Sequence, residues 1–335
     1  MTRTISSRPR GVGRTQGGYG VPVADDRHDD SRPSVLVLRA LQIGDLLVAV
    51  PALRAVRRAH PEYRLVLATS AALAPIVERI GGVDLLLPTP DPTAVPWPGA
   101  APGVAVNLHG TGPQSHRALN ALNPRRRIGF RCGDAGPGWE GPAWDTVAVA
   151  HPHERARWCA LLEAVGIPAD ADDLRLPSPA CAGSTDTGSA RAAPVLVHPG
   201  AAYGAKRWPV ERFAAVAAAL DGPRTPVLVT GSAGERDLAL AVARRAGLPV
   251  DRVLAGRTDL GALCDLVSGA GLVISGDTGI AHLASAYRTP SVVLFGPVDP
   301  AQWGPPADGP HVALAHPATR RGDRFVDEPD PAQLA

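Results

Sequence analysis

Lysine is almost absent from this chain. Of 34 basic side chains, one is Lys206, and the 33 that remain are arginine. Aromatic residues make up only 4%, and none is interleaved with a basic stretch, which excludes a stacking platform for single-stranded nucleic acid. A net charge of +2 excludes the broad basic footprint of a nucleic-acid binder. The four cysteines, Cys132, Cys159, Cys181 and Cys264, are scattered. None has zinc-like spacing and together they form no disulfide framework, which fits a reducing cytoplasm. No apolar run approaches the roughly 20 residues of a membrane-spanning helix. The N-terminus has no apolar signal core, so a cytoplasmic location is expected, with any membrane association peripheral. Gly11, Gly13, Gly17 and Gly18 follow no strand. A dinucleotide fingerprint is therefore missing, which argues against a nicotinamide dehydrogenase.

What is present is a regular alternation. Short apolar runs, long enough for buried parallel strands, are followed by turns and then by stretches of helical spacing. The strongest unit begins at residues 272–275, turns at 276–279 and places Ile280, Leu283, Ala284 and Tyr287 on one helical face. A strand follows at 291–295. In open parallel sheets ligands lie beyond the carboxyl ends of the strands. A helix N-terminus at such a point presents free N–H groups and partial positive charge, which suits a phosphate. The simpler alternative is that Asp277 or Thr278 only caps the helix. A second unit runs from a strand at 195–197 through a Gly-rich loop carrying Lys206 into an Ala-rich helix at 210–220. In a chain that otherwise uses arginine, a compact ammonium in that loop points to a phosphate.

Two α/β domains follow from this alternation, each a doubly wound parallel sheet. Residues 1–33 read as a disordered tail, 34–167 as the first Rossmann-like domain, 168–193 as a linker with a short edge strand at 174–176, 194–306 as the second domain and 307–335 as a loose tail. The first domain is expected to have strands at 35–38, 64–68, 83–87, 104–107 and 128–130, and the second an additional strand at 252–254. Residues 132–144 read as a Gly/Pro loop. Pro51 lies within the first helix, expected at 45–59, and should bend it or delay its start.

These stretches together resemble glycosyltransferase family 9, whose best-known members are the ADP-heptose:lipopolysaccharide heptosyltransferases. The matching residues are His198-Pro199-Gly200, Lys206-Arg207-Trp208-Pro209, Gly231 with Glu235, Asp277-Thr278-Gly279 with His282, Phe295-Gly296-Pro297 and Trp303-Gly304-Pro305. Arg39, Gly44, Asp45 and Pro51 match the opening motif. The resemblance covers residues 35–306 and implies a GT-B architecture with a cleft between the domains. It implies that the second domain holds a nucleotide-diphosphate sugar and the first a glycan, lipid-linked or small-molecule acceptor. Asp45 would be the general base beside Gly44 on the acceptor side, although by spacing alone it reads as a helix cap. Lys206 and the N–H groups of Thr278 and Gly279 would hold the diphosphate, with Asp277 beside them in the nucleotide-sugar site, Glu235 would take the ribose hydroxyls, and His282 would bind or position substrate. The transfer would be inverting, with no cofactor and no metal. A catalytically silent nucleotide-sugar-binding protein and a GT-B sugar-nucleotide epimerase are the alternatives. The sugar, the base, the acceptor and the oligomeric state are left open. Two further features carry less. His151 and His153 form an H-x-H pair without a third ligand at suitable spacing, and Arg125, Arg126 and Arg127 read as a solvated charge run.

Overall fold

The computed structural model describes residues 20–22, 32–178 and 193–315. Two five-stranded sheets, all parallel, form its two domains. The first has the order β3-β2-β1-β4-β5, from β1 (Ser34–Leu38), β2 (Arg64–Thr69), β3 (Leu85–Pro88), β4 (Val104–Asn107) and β5 (Arg126–Ile128). The second has the order β10-β9-β8-β6-β7, from β6 (Val195–His198), β7 (Val227–Val229), β8 (Leu272–Gly276), β9 (Ser291–Phe295) and β10 (His311–Ala315). The central strands are runs of Val, Leu and Ile buried on both faces, which is the pattern covering helices impose on a parallel strand. In each sheet the strand order reverses once, between β1 and β4 and between β6 and β8. These switch points are where open α/β sheets hold ligands.

Helices fill the crossovers. In the first domain they are α1 (Ile43–Val48), α2 (Val50–Ala59), α3 (Ala74–Ile80), α4 (Gln114–Asn120), α5 (Trp144–Ala150) and α6 (Glu154–Glu163). In the second they are α7 (Val210–Leu220), α8 (Arg236–Ala246), α9 (Leu260–Ser268), α10 (Gly279–Tyr287) and the short α11 (Pro300–Trp303). Pro51 acts as expected. It lacks an N–H and falls in the first turn of α2, so the predicted single helix breaks at Ala49 into α1 and α2.

Several expectations are corrected. Residues 252–254 form no strand. Val250–Arg252 is a single 3-10 turn, and Val253 keeps one bridge to Val229. β5 begins two residues early and takes in Arg126 and Arg127, whose backbones pair with Val104 and Ala105 of β4, while Arg126 Nε and Nη2 hold Glu140 at 2.8–3.0 Å. The Gly/Pro loop gives way at Trp144 to α5, whose Trp144 packs edge-on against Phe130 at 5.0 Å. Residues 174–176 are not a strand. Leu174 and Leu176 are buried, Leu176 N–H donates to Ala286 O at 2.9 Å, and Asp173 is held by Arg54 at 2.7 Å and Arg58 at 2.6 Å. The predicted linker thus begins as a segment strapped to both domains. Its residues 179–192 lie outside the described residues, as do 1–19, 23–31 and 316–335 of the predicted tails. The described part of the N-terminal tail is not loose: Pro22 O accepts from Leu86 N–H at 3.0 Å. Nor is the start of the C-terminal one, since residues 311–315 pair with β9 as β10.

One apolar cluster runs through both domains. Leu53, Ile76 and Val77 from α2 and α3 share it with Cys264, Val267, Leu283 and Tyr287 from α9 and α10. Arg79 on α3 adds an ion pair to Asp265 on α9 at 2.7 Å. Among the described residues, no helix is long and apolar enough to cross a membrane.

Candidate functional site

The carboxyl ends of β6, β8 and β9 are crossed by a loop ending in the turn Gly204–Lys206. The crossing is close because two glycines leave room for it. A methyl on Gly276 would lie 2.8 Å from Lys206 O, and one on Gly296 would lie 2.8 Å from Ala205 O. This fixes Lys206 over the end of β8. Its ammonium donates to Asp277 Oδ2 at 2.6 Å, with Asp277 only 5% exposed. Beyond Asp277 the chain is extended at Thr278 and enters α10, whose first turn no side chain caps. The capping alternative for Asp277 and Thr278 is therefore not what this structure shows. The unfilled N–H groups and the helix dipole face the ammonium's neighbourhood. His282 lies one turn into α10 with Nε2 3.9 Å from Asp277 Oδ1, its ring edge-on to Trp303 at 5.8 Å. Burial lowers its pKa, and Lys206 and Arg155 lower it further against the pull of Asp277 and Asp45, so the ring is neutral near pH 7.

Glu235 stands at the neighbouring strand ends. Its Oε2 accepts from Ser232 N–H at 2.7 Å and from Ser232 Oγ at 2.8 Å, closing a capping box. Its Oε1 lies over the backbone of Gly200, where a methyl would come within overlap distance. Burial raises the carboxyl pKa, but the Ser232 hydrogen bonds, His198 and Arg207 outweigh it and leave the group below the usual range. His198, lowered by burial, bonds Thr230 Oγ1 at 3.0 Å. Arg207 braces the loop by donating twice to Ala201 O, at 3.1 and 2.9 Å.

On the opposite wall, Asp45 is the third residue of α1, and its Oδ2 accepts from Gln42 N–H at 3.2 Å. The N-cap of α1 is Gln42 and not Asp45 as spacing suggests; Asp45 closes the capping box from the third helical position, and a quarter of its side chain stays exposed. The buried Arg39 stands behind it. Arg39 Nε donates to Asp45 O at 2.9 Å, Nη1 to Leu108 O, and Nη2 lies 3.6 Å from Asp45 Oδ1. The two walls meet where α1 and α10 approach end to end. A methyl on Gly44 would lie 2.7 Å from His282 Cδ2, and one on Gly279 would lie 3.0 Å from Ile43 Cβ. The structure therefore brings Gly44, Asp45, Lys206, Asp277, Thr278, Gly279 and His282 to one cleft, with Glu235 along the strand ends. Gly44→Ala should force α1 and α10 apart and lower stability by about 1–3 kcal/mol. Denaturant unfolding checks this, and an unchanged midpoint would show that the contact yields without cost.

The H-x-H pair is divided between two helix ends. His151 closes α5 and His153 opens α6. Among the described residues, no three His, Cys, Asp or Glu side chains converge as metal ligands. His153 has a different task. Its Nδ1 accepts from Arg155 N–H at 3.0 Å, so Nε2–H donates to Gly304 O at 2.9 Å, tying α6 to the end of α11 across the domains. Burial pushes its pKa from 6.5 down to about 4. The unfolded chain therefore takes up this proton first. Stability from this group is full above pH 6.5 and declines as the pH falls toward 4, by on the order of 3 kcal/mol in total. His153→Gln, which can still donate to Gly304, should flatten that part of the acid limb in urea unfolding series. An identical acid limb would show that His153 takes up no such proton on unfolding.

The glycosyltransferase family 9 (heptosyltransferase) model matches residues 119–321. Lipooligosaccharide heptosyltransferase 2 of Haemophilus influenzae is 35% identical over 114 residues, 32% of this chain and 32% of that protein. Lipopolysaccharide heptosyltransferase 2 of Escherichia coli is 34% identical over 106 residues, 30% of each. The matched stretch thus spans about a third of the length of these curated relatives. Among solved structures, a glycosyl transferase family 9 protein from Veillonella parvula superposes with a TM-score of 0.69 at 20% identity, covering 87% of this chain and 88% of that one. The ADP-heptose heptosyltransferase II of E. coli does so with 0.68 at 21% identity, covering 84% and 90%. These likenesses show the fold, GT-B with two Rossmann-like sheets.

Proposed function

Because this chain belongs to glycosyltransferase family 9, we propose that it transfers a sugar, with inversion and without a divalent metal, from a nucleotide-diphosphate sugar to a hydroxyl acceptor. The carrying observation is Lys206 held by Asp277 at 2.6 Å beside the uncapped start of α10, with Asp45 across the cleft. The diphosphate lies against the ammonium and the Thr278 and Gly279 N–H groups. Negative charge grows on it as the glycosidic bond breaks, and fixed positive charge there stabilises the transition state more than the ground state. Glu235 accepts the ribose hydroxyls. His282, neutral and pressed against Gly44, positions the sugar. Asp45 takes the proton of the acceptor hydroxyl as that oxygen attacks the anomeric carbon. A single displacement inverts the centre.

The names of the matched relatives make ADP-heptose the first donor to test. A glycan, a lipid-linked glycan or a small molecule supplies the hydroxyl, and the enzyme works in the cytoplasm, meeting any membrane peripherally. The experiment is a binding screen of ADP-, GDP-, UDP- and dTDP-sugars, followed by turnover with and without EDTA. Selective binding of one nucleotide class and turnover unchanged by EDTA are the expected outcomes. Absence of binding by folded protein would overturn the transferase function. Activity lost to EDTA and restored by magnesium would overturn metal independence.

A further inference from the structure

Arg39 is buried to 1% exposure and faces two carboxylates. Its Nη2 lies 3.6 Å from Asp45 Oδ1 and 4.0 Å from Glu154 Oε1 and makes no hydrogen bond to either. The rest of the guanidinium is fixed by the carbonyls of Asp45 and Leu108 and by the Trp158 ring, whose centroid is 4.8 Å from Cζ. Glu154 is fixed as well. Its Oε1 accepts from Trp158 Nε1 at 3.0 Å and its Oε2 from Arg157 Nη1 at 3.1 Å. These two bonds satisfy the buried carboxylate, and they leave its Oε1 4.0 Å from the Arg39 guanidinium.

We propose that Glu154 is a positioning residue that sets the basicity of Asp45 by sharing the charge of Arg39. This rests on Asp45 being the general base. One cation standing between two carboxylates neutralises neither completely. Arg39 is fixed in place, so the negative charge of Glu154 acts by opposing the field of Arg39 at Asp45, which favours protonation there. Without that charge the field of Arg39 acts unopposed and makes Asp45 a weaker base. Arg157 works in the opposite sense, because it draws on the charge of Glu154. Burial raises the Glu154 carboxyl above its usual range, Arg39 and Arg157 pull it back down, and Asp45 adds to the rise. The remaining titratable groups that Asp45 influences are His109 at the end of β4 and His282 on α10, each lowered by burial.

The test is a pH titration of the Asp45 carboxyl by 13C NMR in Asp-labelled protein, with the resonance assigned by its loss in Asp45→Asn. In Glu154→Gln the midpoint should fall by about one pH unit. In Arg157→Gln it should rise. Where the wild type turns over, the acid limb of kcat should move with the midpoint in each variant. A merely structural role would reduce the rate without moving that limb. An unmoved midpoint in both, or movement in the same direction in both, overturns the proposal. If Glu154→Gln fails to fold, the sign of the shift in Arg157→Gln decides. Absence of turnover by the wild type would sink the transferase function, while the titration would still show whether Glu154 governs Asp45.

Discussion

Lys206→Ala should raise the Kd for the nucleotide-diphosphate sugar about 100-fold, the value of losing one to two charge-assisted hydrogen bonds from a partly buried ammonium. The loss has two parts. The phosphate loses its cation, and Asp277, only 5% exposed, is left as an uncompensated charge where the diphosphate must lie. The second part also threatens the fold, since removing one partner of a buried ion pair costs about 3–5 kcal/mol. The double variant Lys206→Ala with Asp277→Asn separates the two. It should recover stability in thermal unfolding and remain defective in calorimetric binding. Lys206→Arg should rescue poorly. The loop is pinned against Gly276 and Gly296, and a planar fork cannot occupy the place of a compact ammonium there. Full binding by either alanine variant would remove Lys206 from the donor site.

Asp45→Asn should lower kcat by about 10²–10⁴-fold and leave the donor Kd within about twofold. Asparagine is the informative substitution because it keeps the local structure. Its carbonyl oxygen can still accept from Gln42 N–H, and Arg39 still binds the backbone carbonyl of residue 45. Alanine would add the loss of the capping-box hydrogen bond from Gln42 N–H, about 1 kcal/mol, and confound the two effects. Turnover and binding measured on the same preparation check the split. Wild-type kcat in Asp45→Asn would leave Asp45 as a capping-box residue only.

Much of this molecule is legible in its sequence, for a physical reason. A strand covered by helices must be a nearly continuous apolar run, so β4, buried throughout, and β9, half-buried at Val292 and Leu294, fall where expected to the residue. Elements held by less than a buried face are missed. Residues 252–254 have strand composition but only one bridging partner. β10 is exposed along most of its length and carries no alternation that marks it. α5 follows a Gly/Pro run and owes its place to Trp144 on Phe130, a contact no local pattern announces. The site divides the same way. Lys206 stands out because the composition makes it unique, and Asp277 because it follows a strand. For Asp45 the two sequence interpretations, helix-end residue and general base, are compatible in space: one oxygen accepts from Gln42 N–H and the other lies 3.6 Å from Arg39 Nη2. Glu235 likewise bonds Ser232 N–H through Oε2 and places Oε1 over Gly200. Glu154 does not stand out in the sequence. In sequence it is an acidic first-turn residue with Arg157 and Trp158 behind it, which describes many surface helices, and only the fold brings it to Arg39.

The most direct measurement is a crystal structure of the wild-type protein with a nucleotide diphosphate bound. The phosphates should lie between Lys206 Nζ and the N–H groups of Thr278 and Gly279, with the ribose hydroxyls on Glu235 and the open side of the cleft facing Asp45. A nucleotide bound elsewhere, with the start of α10 still unoccupied, would contradict the donor site.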